Sequence, residues 1–184
     1  MPHNLWSQDS YIQAYRFAAQ AHQGQIVPGT DIPYLMHISL VCMEVTAALH
    51  AEPADDPTLA VQCALLHDVI EDTPATFESV RDAFGAAVAD GVLALTKDKR
   101  LDKPLQMEDS LRRIRQQPRE VWLVKLADRI TNLQPPPATW TAAKIIAYRA
   151  EVRQILAALG DASLLLAARL ERKIAAYGDF AAGR

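Results

Sequence analysis

Cysteine is almost absent: Cys42 and Cys63 are the only two in 184 residues, and both sit in apolar stretches. They lack the spacing of a thiolate zinc site, so they read as buried thiols of a reducing compartment. Glycine is scarce, at seven residues, and most of the eleven prolines fall between apolar periodic runs. That is the composition of a helical globular chain and not of a disordered one. Neither sign of charge dominates: 19 basic residues face 22 acidic ones. A broad nucleic-acid-binding face is therefore not expected, whereas a small anion would need only a local basic patch. No apolar run approaches the roughly 20 residues that span a bilayer. The opening MPHNLWSQDSY lacks a charged segment followed by an apolar one, so no signal peptide and no membrane partner are expected, and the chain reads as cytoplasmic.

What is present is helical periodicity. The pattern predicts an all-α fold, one bundle of about eight or nine helices spanning residues 1–184, with no convincing strand. The first helix is capped by Ser7 or Asp9 and stops at Gly24. The loop GQIVPGTDIPY follows, and its Pro and Gly content forbids regular structure. Helices are expected near 35–50 and 58–72, the latter closed by Pro74. Thr76 can cap a short helix ending at Phe84 and Gly85, and another covers about 86–96. After an irregular charged stretch, helices follow near 105–116 and 119–133. Three prolines at 135, 136 and 137 then break the chain before two long helices at about 141–159 and 162–177.

The chemistry centres on AVQCALLHDVIEDTP. An apolar run reads as a buried helix, yet it ends in His67, Asp68, Glu71 and Asp72. On one continuous helix His67 would stack near Glu71 and Asp68 near Asp72. Three carboxylates at a helix C-terminus oppose the macrodipole; a bound cation would reverse that penalty. Upstream, IPYLMHISLV sets His37 on an otherwise apolar face. Downstream, EVWLVKLADRITNL sets Asp128 in the middle of an apolar helix, where a lone carboxylate is rare unless paired or liganded. Asn132 lies one turn on. Two imidazoles and two carboxylates suit Mn²⁺ or Fe²⁺ and admit Zn²⁺.

The ordered set AHQGQ, PYLMH, ALLHDVIEDT, FG, LTKDK and VKLADRITNL resembles the HD-domain hydrolases of the RelA/SpoT type, and in particular the free-standing small alarmone hydrolases. The resemblance covers about residues 10–150, with the two C-terminal helices expected to pack on that core. It implies an all-helical fold and Mn²⁺-dependent removal of the 3′-pyrophosphate from (p)ppGpp, the alarmone of the stringent response. It implies His37, His67, Asp68 and Asp128 as metal ligands, and Glu71 and Asp72 as the catalytic acidic pair. By the same resemblance Asn132 contacts nucleotide, and Lys103 and Tyr148 touch phosphate or ribose. Lys97, Lys99, Arg100 and Lys103 form a basic cluster, of which Lys99 and Lys103 are the expected phosphate contacts. Arg112, Arg113 and Arg115 read equally well as a solvated face.

One departure stands out. The family's first loop carries an Arg-Lys pair whose arginine stacks on guanine; here Val27 and Pro28 stand in its place, and no basic residue lies between Gln25 and His37. Losing a guanidinium removes a contact of about 0.5–2 kcal/mol. Three functions therefore stay open: a (p)ppGpp hydrolase with an altered base pocket, a hydrolase of another nucleotide phosphate such as NADPH 2′-phosphate, or a non-catalytic nucleotide sensor. The intact Glu71 and Asp72 pair argues against the sensor. Trp6, Trp122 and Trp140 read as packing residues, His22 as a structural partner near the site, and His3 and His50 as exposed.

Overall fold

The computed structural model describes residues 6–182, apart from the side chain of Pro104; His3 lies outside them. Every regular element among the described residues is a helix, and the one strand-like feature is an isolated bridge between Ile26 and Pro33. The helices are α1 (Gln8–Ala21), α2 (Leu35–Ala51), α3 (Pro57–Leu66), α4 (Val69–Asp72), α5 (Phe77–Phe84), α6 (Ala86–Leu95), α7 (Lys103–Arg115), α8 (Arg119–Asn132), α9 (Ala142–Leu159), α10 (Leu164–Tyr177) and α11 (Asp179–Ala182). None is long and apolar enough to cross a membrane.

Local chemistry sets the boundaries. The hydroxyls of Ser7, Thr76, Thr141 and Ser163 accept backbone N–H groups at the starts of α1, α5, α9 and α10, satisfying donors that a helix start otherwise leaves unpaired. Gly85 joins α5 to α6 at φ 86°, a left-handed conformation that favours glycine.

α3 lies at the centre. All its residues but Thr58 and Gln62 are buried, because it is apolar on every face and must be covered on every side. It packs against α1, α2, α6 and α8, while α8 also meets α2, α9 and α10. Gly91 on α6 lets that helix approach closely: a Cβ there would stand 2.8 Å from Cys63 Sγ and 3.0 Å from Val121 Cγ2. Alanine's better helix propensity is worth about 1 kcal/mol, but forcing a methyl into a packed contact costs about 1–3 kcal/mol. Gly91→Ala is expected to lower the thermal midpoint by several degrees without changing helical content. A raised midpoint in a calorimetric scan would show that the contact relaxes instead.

One expectation is corrected. The helix predicted over 58–72 is broken at His67 and Asp68. The cause is local: His67 Nδ1–H donates to the Ala64 carbonyl at 2.9 Å, the acceptor that a continuing α-helix would offer to the N–H of residue 68. The chain turns there, so Glu71 and Asp72 belong to the short α4 and not to the face of α3.

Candidate metal centre and its cleft

Three core helices bring the polar cluster together. His37 lies in the first turn of α2, His67 and Asp68 in the turn after α3, and Asp128 in the third turn of α8. His37, His67 and Asp128 are only 7, 3 and 6 % exposed, and buried polar groups of this kind need partners. The Nε2 atoms of His37 and His67 face each other at 3.3 Å. Asp68 Oδ2 stands 3.0 Å from His67 Nε2 and 3.6 Å from His37 Nε2. Asp128 Oδ1 is 3.6 Å from His37 Nε2. One donor atom from each of His37, His67 and Asp128 lies within 4.8 Å of the other two.

These spacings fit a divalent ion. Donors about 2.1 Å from a small cation stand roughly 3.0–3.4 Å apart at right-angle or tetrahedral spacing. The bond from Nδ1 of His67 to Ala64 sets the neutral tautomer whose lone pair is on Nε2, the nitrogen facing the cluster. Electrostatics agree. Burial opposes a charge on His67, but the Asp68 and Asp128 carboxylates outweigh it and push its pKa up to about 9. Burial likewise resists ionisation of Asp68, yet His67, His37 and Tyr34 hold it well below the ordinary carboxylate range. The carboxylates thus favour positive charge beside them, which a divalent cation would supply.

A cleft of about 580 Å³ opens beside this cluster. Its polar end carries His37, Asp68, Asp128, Glu71, Asp72, Lys97 and Lys125; the remaining wall includes Val27, Pro28, Ile32, Leu40, Trp140 and Tyr148. Glu71 Oε2 accepts the Lys97 N–H at 2.9 Å, which anchors the carboxylate to the loop after α6. The pKa of Asp72 is raised by burial first, then by the neighbouring Asp68 and Glu71 carboxylates.

The remaining expected contacts divide. Asn132 and Tyr148 line the cleft. Asn132 Nδ2 donates to Asp128 Oδ1 at 2.5 Å, and the Tyr148 hydroxyl accepts from Arg129 Nη1 at 3.1 Å. Lys99 is exposed and lies across the acidic pair: its Nζ donates to the Glu71 carbonyl at 3.0 Å and stands 3.7 Å from Asp72 Oδ1. Lys103 begins α7 on an exposed surface and is not among the residues lining the cleft. His22 packs its ring 5.0 Å from that of Tyr34, and its Nδ1 pairs with Gln25 Oε1.

Four cleft residues carry roles that the sequence does not announce. Tyr34 donates its hydroxyl to Asp68 Oδ2 at 2.5 Å. Lys125 and Arg129 are buried on either side of Asp128, with Lys125 Nζ 3.7 Å and Arg129 Nε 3.3 Å from its Oδ2. Burial, and then Arg129, press the Lys125 pKa down to about 8. A lysine three residues before Asp128 and an arginine one after it, on an otherwise apolar helix, are the available signal. Trp140, a packing residue by its sequence, lines the cleft.

Comparison with known proteins points the same way. A family model described as an HD domain matches residues 14–165. The chain is 30 % identical over 166 residues to the guanosine-3′,5′-bis(diphosphate) 3′-pyrophosphohydrolase MESH1 of Danio rerio, covering 88 % of this chain and 90 % of that protein. It is 37 % identical over 129 residues to the bifunctional (p)ppGpp synthase/hydrolase SpoT of Escherichia coli K12, but spans only 17 % of that longer protein. A solved structure described as a metazoan ortholog of SpoT that hydrolyses ppGpp superposes with a TM-score of 0.81 at 25 % identity, over 94 % of this chain and 98 % of that one.

Proposed function

The chain belongs to the HD-domain family, and we propose that it is a divalent-metal-dependent phosphohydrolase that removes the 3′-pyrophosphate of (p)ppGpp, leaving GDP or GTP. The observation that carries the reaction type is the buried group of His37, His67 and Asp128, with Asp68 Oδ2 close to both imidazoles, beside a cleft lined by Glu71 and Asp72. The choice of substrate is supported by the near full-length match to a free-standing relative named for that reaction.

In this reading His37, His67, Asp68 and Asp128 hold the ion, and Mn²⁺ suits their mixed nitrogen and oxygen donors. A divalent cation bound there lowers the pKa of a coordinated water and polarises a phosphoryl oxygen. Glu71, steadied by the Lys97 N–H, orients the attacking water and accepts its proton. The water oxygen bonds to the phosphorus that carries the 3′-oxygen, the bond from phosphorus to that oxygen breaks, and pyrophosphate departs. Asp72, which lines the same cleft and whose pKa is raised by burial and by the neighbouring Asp68 and Glu71 carboxylates, is the group assigned to donate the proton that converts the leaving 3′-oxygen to a hydroxyl. Lys97 and Lys125, which line the cleft, offset the phosphate charge.

A second reading keeps the chemistry and changes the nucleotide, NADPH 2′-phosphate being one candidate. It is favoured by Val27 and Pro28, which line the cleft where the family carries arginine and lysine. A sensor without turnover is disfavoured because Glu71 and Asp72 both face the cleft. The test is incubation of Mn²⁺-loaded protein with ppGpp and separation of products by anion exchange. GDP and pyrophosphate are expected; no turnover by protein that holds metal would favour the second reading.

A further inference from the structure

The cleft lining joins two kinds of side chain: charged groups around the metal cluster, and an apolar and aromatic set that includes Trp140 and Tyr148. Within that second set Trp140 is held from several directions. Its backbone N–H bonds the Pro137 carbonyl at 2.9 Å, closing a turn after three consecutive prolines whose fixed φ stiffens the segment. Its indole meets the Tyr148 ring edge-on, with centroids 5.5 Å apart and planes at 79°. Lys144 Nζ stands 4.2 Å from the indole centroid, a distance at which the ring face attracts a cation.

Tyr148 ties this wall to the metal cluster. Its hydroxyl accepts from Arg129, and Arg129 Nε lies 3.3 Å from Asp128 Oδ2. The indole is thus indexed to Asp128 through two intervening side chains. The loop that also lines this cleft is ordered: the Val27 N–H bonds the Ile32 carbonyl and the Tyr34 N–H bonds that of Gln25. It presents Val27 and Pro28, whose side chains offer neither a planar cation nor a hydrogen-bond donor.

We propose that Trp140, backed by Tyr148, is the platform on which the substrate's purine base stacks. This rests on the nucleotide-hydrolase reading above. Base stacking on an aromatic side chain tolerates differences in sequence and is lost on truncation. Trp140→Ala therefore raises the KM for ppGpp about five- to hundredfold while kcat stays within about threefold. Inhibition by inorganic pyrophosphate, which needs only the phosphate end, stays at the wild-type value. Trp140→Phe recovers most of the KM, and Trp140→Leu, apolar without a ring, recovers less.

The experiment measures these constants on Mn²⁺-loaded protein and follows tryptophan fluorescence as GDP is added. The expected result is quenching in the wild type, lost in Trp140→Phe, with the KM order Phe below Leu and Ala. An unchanged KM in Trp140→Ala, or KM and pyrophosphate inhibition shifting in parallel, overturns the proposal. If Trp140→Ala does not fold by circular dichroism, the Phe and Leu variants decide the matter alone. Should the wild type leave ppGpp intact while GDP still quenches Trp140, the substrate assignment falls and the platform stands. Turnover of ppGpp with no Trp140 dependence overturns the platform and leaves the substrate assignment standing. Neither turnover nor quenching removes both.

Discussion

Asp128→Ala is expected to leave the purified protein without stoichiometric metal and without turnover. The carboxylate is buried, holds Asn132 through Oδ1, and balances Lys125 and Arg129 through Oδ2. Its removal does more than delete one donor. It takes from Lys125 the carboxylate 3.7 Å away and leaves Arg129 with Glu151 as its ion-pair partner, so positive charge beside the site rises against an incoming cation. Breaking a buried charge pair costs about 3–5 kcal/mol, so the alanine variant also loses stability. Asp128→Asn separates the effects, since it keeps the volume and an acceptor while removing the charge. Metal content by elemental mass spectrometry, beside a melting curve, is the measurement. Stoichiometric metal in either variant, with the fold intact, would refute Asp128 as a ligand.

The second large effect belongs to the acidic pair. Glu71→Gln and Asp72→Asn are each expected to cut kcat by about 10²–10⁴-fold, the range for a positioned acid or base. Metal content and melting temperature should be unchanged. The amide oxygen of glutamine can still accept the Lys97 N–H, so the anchor of residue 71 to the loop survives. The Asp72 side chain keeps 36 % of its surface in solvent and is only partly buried, so its amide carries little structural cost. Loss of turnover with metal retained isolates proton handling from metal binding. A near-normal rate in either variant would remove that residue from the mechanism.

Much of this is legible in the sequence because helix signals are local. Caps at Ser7 and Thr76, the glycine at 85 and the proline triplet are each read within a few residues of where they act. The members of the candidate site are legible as ill-placed polar residues, since His37 and Asp128 interrupt apolar faces. What cannot be read is tertiary. Amphipathic spacing carries no trace of the Ala64 carbonyl being taken by an imidazole, so the break at 67 and 68 is invisible to it. Tyr34 reaches Asp68 across 34 positions of chain, and only the docking of α2 on α3 creates that contact. Lys103 joins the expected phosphate contacts by the family resemblance and by its place in a basic cluster, and α7 begins there and presents it on an exposed surface. Trp140 follows a proline segment whose path no periodicity describes.

The cleft is built from two kinds of material. The side chains proposed to hold the ion and move protons come from α2, α8, the turn that follows α3 and the short α4 beyond it, and a shift of one residue in α2, α3 or α8 would disturb the centre of the molecule. Val27 and Pro28, and Trp140 across the proline segment, come from loops outside the packed helices. Loops accept exchange, insertion and altered length at small thermodynamic cost. Preference for one nucleotide over another can therefore drift, or be engineered, by rewriting two short surface segments, while the hydrolytic centre is inherited unchanged.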